Sequence, residues 1–269
     1  MKVILVHADD GPGMAGRLSN AVALARRVGG HVTLLVNTPF QRFVAMDPFG
    51  GTYLASEALA EATVRDAAMV RQFTAELAGS GVSHDVVSSS DETVGALSSA
   101  ALLADLAVVA LEGEASVRPY ARPLLAGDLA LAAPVPVLAL PEESGTIDPA
   151  GPVIIAWNGR TEAAAALRAA VPLLEGRPVA LLRIGAESGS VPDAAALDYL
   201  QRQGFDAVLR TLDPGDGPVG EVIEQHALSQ RAAMIVMGAF GRNRLRETLF
   251  GGVTRYLLGR ASVPLLLAH

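Results

Sequence analysis

Short runs of β-branched and aliphatic residues alternate along the chain with longer Ala/Leu-rich stretches whose apolar positions recur at helical spacing. Ten of the short runs read as strands. In the first half they are Val3–Ala8, His31–Asn37, His84–Ser89, Leu106–Leu111 and Val135–Leu140. In the second they are Val153–Asn158, Val179–Ile184, Ala207–Leu212, Ala233–Gly238 and Val263–Ala268. Strands that alternate with helical stretches predict βαβ units and a parallel sheet, because a parallel partner needs a crossover long enough to return the chain to the same end.

The pattern repeats. Val3-Ile4-Leu5-Val6 answers Val153-Ile154-Ile155-Ala156, and Ala133-Pro134-Val135-Pro136-Val137-Leu138 closes the first half as Ala261-Ser262-Val263-Pro264-Leu265-Leu266 closes the second. Pro136 and Pro264 lack a donor, so the two last strands are expected at sheet edges. Two apolar edges invite pairing, and the halves are expected to meet there as a pseudo-symmetric pair. Pro141 to Pro152 is polar and rich in Pro and Gly, which places the boundary there, with domains at residues 1–143 and 152–269. Between the second and third strands, Val32 to Asp85 spans 53 positions and Val179 to Asp206 spans 27, so the first half carries 26 extra residues. They include Phe40, Phe43, Phe49 and Tyr53 around Gly50-Gly51, then an amphipathic helix from about Ala55 to Leu77. A lid or partner-binding loop is one reading of residues 38–55. The more common role of such aromatics is to pack the loop down.

Composition narrows the function classes. A hydrophobic fraction of 51% against 18% charged residues supports an ordered core. The longest apolar run, Leu129 to Pro141, is too short to span a bilayer at about 20 residues and contains Pro134 and Pro136, and the first ten residues lack the apolar stretch of a secretory signal. A soluble, cytoplasmic protein with no membrane partner is expected. The chain has no cysteine, hence no disulfide, thiolate metal site or Cys nucleophile. A net charge of −7 argues against general nucleic-acid binding, and the visible basic patch is Arg242, Arg244 and Arg246 with Arg255 and Arg260. His7, His31, His84, His226 and His269 show no metal-ligand spacing, and neither a P-loop nor a Gly-x-Ser-x-Gly motif occurs.

The informative segment is Met234-Ile235-Val236-Met237-Gly238-Ala239-Phe240-Gly241, nine residues Arg242 to Phe250, then Gly251-Gly252-Val253-Thr254. It predicts a buried strand ending at Gly238, a loop, and a helix starting near Val253. A helix start offers free N–H groups and a positive dipole end to an anion, and glycine lets backbone approach a ligand without a Cβ in the way. Thr254 could add a hydroxyl. Arg242 and its neighbours could screen a triphosphate, although such charges in a loop are usually just solvated.

At these residues the sequence resembles the universal stress protein family, whose nucleotide-binding members carry Gly-x2-Gly-x9-Gly-(Ser/Thr) after the fourth strand. Gly238, Gly241 and Gly251 match, and Gly252 stands where the family has Ser or Thr. The resemblance covers both halves. It implies an α/β fold of two tandem open five-stranded parallel sheets, order 3-2-1-4-5, with helices on both faces, of the Rossmann-like, adenine-nucleotide α-hydrolase-like type. It further implies ATP or a related adenine nucleotide, with magnesium as the candidate companion ion, at the carboxyl ends of strands one and four, where strand order reverses. The implied nucleotide-binding residues are Asn158, where the family commonly has Asp, Ile184 at the end of the second strand, Gly238, Gly241, Arg242, Gly251, Gly252, Val253 and Thr254. Asn158 reads equally well as a turn residue, and Trp157 as packing. The first half has Glu112 and Glu114 where phosphate would sit and no Gly-Gly pair, so its site is degenerate. Asp9 and Asp10 there suggest either a divalent cation or, more readily, an N-terminal cap of the next helix.

The resulting expectation is a nucleotide-responsive regulatory protein of the stress response, not an enzyme, with no catalytic residue and no metal site. The signal would be read by regulatory protein partners, with further self-association of the chain as an open question. The alternatives are a slow ATPase or nucleotidyl-transfer relative, and an interaction module with a vestigial site, which Asn158 and Gly252 favour.

Overall fold

The computed structural model describes residues 1–46, 52–111, 125–187, 189–239 and 252–269. The first half runs β1 (Val3–Ala8), α1 (Met14–Val28), β2 (His31–Asn37), β3 (Val44–Met46), β4 (Thr52–Leu54), α2 (Ser56–Ala78), β5 (Ser83–Ser89), α3 (Thr93–Ala100), β6 (Leu106–Leu111), α4 (Leu125–Ala132) and β7 (Val137–Pro141). The second runs β8 (Val153–Ala156), α5 (Thr161–Ala170), β9 (Val179–Ile184), α6 (Asp193–Arg202), β10 (Ala207–Leu212), α7 (Val219–Ser229), β11 (Met234–Gly238), α8 (Gly252–Arg260) and β12 (Leu265–Ala268).

Strands β5-β2-β1-β6-β7 and β10-β9-β8-β11-β12 lie side by side in those orders, parallel within each half, which is 3-2-1-4-5 twice once the separate β3–β4 hairpin is set aside. The two sheets are not separate. β7 and β12 pair antiparallel, with Leu265 opposite Ala139, Leu266 opposite Leu138 and Leu267 opposite Val137, so a single ten-stranded sheet runs through the molecule. The fifth strands, read as edges, are therefore its centre. Their prolines fit because each stands just before the first paired residue and is used only as an acceptor: Ala107 N–H donates to Pro136 O at 3.0 Å and Ile235 N–H to Pro264 O at 2.9 Å.

One apolar layer covers each face. Leu18, Phe73, Leu167 and Leu200 from α1, α2, α5 and α6 fill one, and Leu97, Leu129, Ile223 and Leu257 from α3, α4, α7 and α8 fill the other. Each layer draws on both halves. This is the handedness rule at work: the first two crossovers of each half put their helices on one face and the later ones on the other.

The pairing also sets which residues correspond. Ala107 lies opposite Val137 and Ile235 opposite Leu265, while Ile4 pairs Leu106 and Val153 pairs Met234. Ile4, not Val3, is thus the counterpart of Val153, and Asp9 that of Asn158. The same register places Val32 opposite His84 and Val179 opposite Ala207, separations of 52 and 28 positions, so the first-half excursion is longer by 24 residues rather than 26. In that excursion a 3-10 turn, Phe40–Phe43, leads into the β3–β4 hairpin and α2. Phe40, Val44 and Leu54 stay exposed, Phe43 is half-buried, and Ala62, Phe73 and Leu77 of α2 are buried. Phe49 lies outside the described residues.

The linker is clamped rather than loose. Buried Asn20 on α1 donates from Nδ2 to Gly16 O at 2.9 Å and Gly145 O at 3.1 Å, and its Oδ1 accepts from Ile147 N–H at 2.7 Å. Arg177 then donates to Asp148 O at 2.7 Å and Gly151 O at 3.2 Å. The backbone groups that a Pro/Gly-rich segment leaves unpaired are satisfied from both domains.

Candidate functional site

In the second half the carboxyl ends of β9, β8 and β11 lie side by side, and strand order reverses at β8. The pairing of β8 with β9 ends at Ala156–Leu182, after which Trp157 N–H donates to Leu182 O at 2.8 Å. Ile184 closes β9 two residues beyond that pair, half-buried. Exposed Asn158 accepts at Oδ1 from Arg160 N–H at 3.1 Å, an Asx turn that steers the chain into α5. Its turn role is thereby visible in the side-chain geometry.

Gly238 ends β11, and a Cβ there would lie 2.5 Å from Glu162 C and 2.6 Å from Ala163 N. The absence of a side chain brings the first turn of α5 against the end of β11. Gly252 opens α8, exposed, and among the described residues nothing lies within 4 Å of where its Cβ would stand. Val253 is half-buried and Thr254 is buried at 6% exposure, inside the first turn of α8. Gly241, Arg242, Arg244, Arg246 and Gly251 lie outside the described residues, as do Glu112 and Glu114 of the first half.

Composition alone gave no hint of the polar cluster behind Asn158 and Ile184. Asp193, the first residue of α6 and 8% exposed, accepts from Trp157 Nε1 at 3.0 Å, and its other oxygen lies 3.0 Å from Arg183 Nε. The Arg183 N–H is not aimed along that line, so the contact is an ion pair rather than a directed hydrogen bond. Asp193 N–H donates to Glu187 Oε1 at 3.0 Å, and the positive end of α6 favours the carboxylate. The loop between β9 and α6 folds back onto the β8–α5 turn, where Val191 N–H donates to Gly159 O at 2.9 Å. A Cβ on Gly189 would fall on the Gly159 carbonyl, and Gly159 has φ +69°, so two glycines are required where the loops touch.

The first half is built differently at the same place. Asp9 accepts from Gly11 N–H at 2.9 Å, the same turn that Asn158 makes, but its carboxylate also pairs with Arg17, which is 2% exposed. The cap of α1 is Gly13 without a side-chain bond, so Asp9 is the counter-ion of a buried guanidinium instead of a helix cap. Counting from the matched strands, Arg17 stands where the second half has Ala166. Met14, Leu18, Ala21 and Ala25 form the buried stripe of α1, and a cation within that stripe was the available signal for Arg17. His7, nearly buried with Nδ1 3.7 Å from Asp9 Oδ2, has its pKa lowered to about 4 by burial, with Arg17 and Arg42 adding to the effect and Asp9 opposing it.

At the opposite end of the sheet, His31 Nδ1 lies 2.9 Å from Ser83 Oγ and Nε2 3.2 Å from Asp85. The Asp85 side chain is 70% exposed, which makes this a solvated cross-strand cluster, not part of the site.

The sequence profile of the universal stress protein family matches residues 151–269. The second half is thus similar to a universal stress protein domain. Among solved structures, a universal stress protein from Archaeoglobus fulgidus DSM 4304 superposes with a TM-score of 0.75 at 12% identity, over 99% of this chain and 95% of that one. A functionally unknown protein from Pseudomonas aeruginosa PAO1 superposes with a TM-score of 0.62 at 16% identity, over 100% of this chain and 92% of the other. Likeness at this identity speaks for the fold of the whole chain, both universal-stress-protein-type sheets included. No curated protein matches the sequence. Among the described residues, no helix is long and apolar enough to cross a membrane.

Proposed function

We propose that the chain is a tandem universal stress protein, residues 1–143 and 152–269, that binds one adenine nucleotide, ATP or a relative, in its second domain. The observation that carries this reading is the start of α8. Gly252 begins the helix that follows β11, and among the described residues no atom lies within 4 Å on its Cβ side, at the end of the sheet where strand order reverses. Gly241, Arg242 and Gly251 complete the loop in sequence, and Asn158 and Ile184 stand at the carboxyl ends of β8 and β9. Magnesium would accompany the phosphates. In the first domain Asp9, the counterpart of Asn158, is engaged by the buried Arg17, and the sequence has Glu112 and Glu114 and no Gly-Gly pair where phosphate would sit, which supports one nucleotide per chain.

The proposed role is regulatory and cytoplasmic: bound nucleotide favours one state of the domain, and protein partners read it. Asp193, the buried carboxylate at these strand ends, is committed to Trp157 and Arg183, which disfavours it as a general base. Calorimetric titration of the full chain with ATP, ADP and AMP tests the reading. Saturation at one nucleotide per chain, with no turnover in magnesium, is the expected result. Two equivalent sites would mean that the first domain binds as well, turnover would make the protein an ATPase, and no binding would leave an interaction module with a vestigial site.

A further inference from the structure

We infer that Asp193 is a positioning residue for the base end of the proposed nucleotide site, an inference that rests on the nucleotide reading above. Its two carboxylate oxygens contact Trp157 and Arg183 at 3.0 Å each. Trp157 is the residue before Asn158, and Arg183 the residue before Ile184. One buried carboxylate thus ties together the ends of β8 and β9 at the two positions where they stop pairing with each other. The sheet order puts β9 on the side of β8 away from β11, so the clamped ends lie away from Gly238 at the end of β11, on the side left for base and sugar. Glu187 holds Asp193 from its own backbone N–H, and the Gly159–Gly189 contact with Val191 N–H on Gly159 O keeps the β9–α6 loop against the β8–α5 turn. The clamp therefore sets the spacing of Asn158 and Ile184 without touching ligand itself, and loss of spacing at a site costs affinity steeply.

The experiment titrates the full chain with ATP and, separately, with inorganic tripolyphosphate, for wild type, Asp193→Asn, Asp193→Ala and Trp157→Phe. Asp193→Ala is expected to weaken ATP at least fivefold while tripolyphosphate changes less than twofold. Asp193→Asn, which keeps an acceptor for the indole, should fall between. Trp157→Phe removes only the indole N–H and should weaken ATP two- to threefold, and it keeps the test open if Asp193→Ala does not fold. In wild type the emission of Trp157, the only tryptophan, should shift with ATP and not with tripolyphosphate. Unchanged ATP affinity in the folded variants, or a parallel loss for both ligands, overturns the positioning role. Wild type that binds tripolyphosphate but not ATP, or neither, overturns the nucleotide reading itself, and the inference with it.

Discussion

Leu138 and Leu266 lie directly opposite each other in the antiparallel pairing of β7 with β12, and each stands two residues after the proline of its own half. They are counterparts, so the pseudo-twofold axis of the molecule passes between them, and both are buried, at 1% and 0% exposure. The contact is isologous, as in a homodimer, but within one chain.

Both apolar layers cross this line, so the halves should unfold together. Leu266→Ala is expected to lower the unfolding free energy by about 2–5 kcal/mol, the usual cost of truncating a buried leucine. Urea titrations followed by Trp157 emission, which reports the second half, and by far-UV circular dichroism, which reports the whole chain, should share one midpoint before and after the substitution. Two separated midpoints would show that the halves are independent.

Asp9→Asn would give the first half the second half's residue but strand Arg17 as an unpaired buried cation. Breaking a buried pair costs about 3–5 kcal/mol, and the partial exposure of Asp9 puts the expected loss at or below the lower end of that range. Adding Arg17→Ala, which copies Ala166, should recover part of it. A double-mutant cycle by urea denaturation measures the coupling, and additive losses would mean that the pair contributes nothing.

His7 should give a pH-dependent contribution to stability. Burial lowers its pKa to about 4 from 6.5, so between those values the unfolded chain binds more protons than the folded one, and stability rises with pH. The contribution is complete above about 6.5 and lost as pH falls toward 4, and is on the order of 3 kcal/mol in full. Urea midpoints at pH 7 and pH 4.5 should differ less for His7→Gln than for wild type. An equal difference in both would assign the slope to other groups.

Two glycines of the loop should respond in opposite ways. Gly238→Ala places a Cβ against the α5 backbone and should lower the melting temperature, with a cost of about 1–3 kcal/mol typical of overpacking, whether or not nucleotide is present. Gly252→Ser meets no described residue within 4 Å, should leave the melting temperature within about a degree or two, and should tighten ATP by about 0.5–1.5 kcal/mol, one hydroxyl's net hydrogen bond. Thermal melts and calorimetry on the same preparations check both, and a stable Gly238→Ala would remove the packing role.

The succession of strands was legible because its signal is local: apolar runs of strand length with Ala/Leu stretches and turn residues between them delimit the ten strands of the main sheet to within two residues, while the β3–β4 hairpin gave no such signal. The repeat was legible for the same reason, as were Gly238 at the end of β11 and Gly252 at the start of α8. Register was not. Val3-Ile4-Leu5-Val6 matches Val153-Ile154-Ile155-Ala156 almost as well one residue out of step, and only the hydrogen-bonded pairing shows that Asp9, not Ala8, corresponds to Asn158. The polar groups behind the site were equally hidden, since Trp157, Arg183 and Asp193 are far apart in sequence and meet only when β8, β9 and α6 are in place. Sequence alone therefore determined the ten strands of the main sheet and how they repeat, because propensity and periodicity act within one segment. The tertiary structure decided how the halves fuse, which strand ends correspond and which buried charges hold them, because those depend on contacts between segments, where a single-residue shift exchanges the faces of a strand.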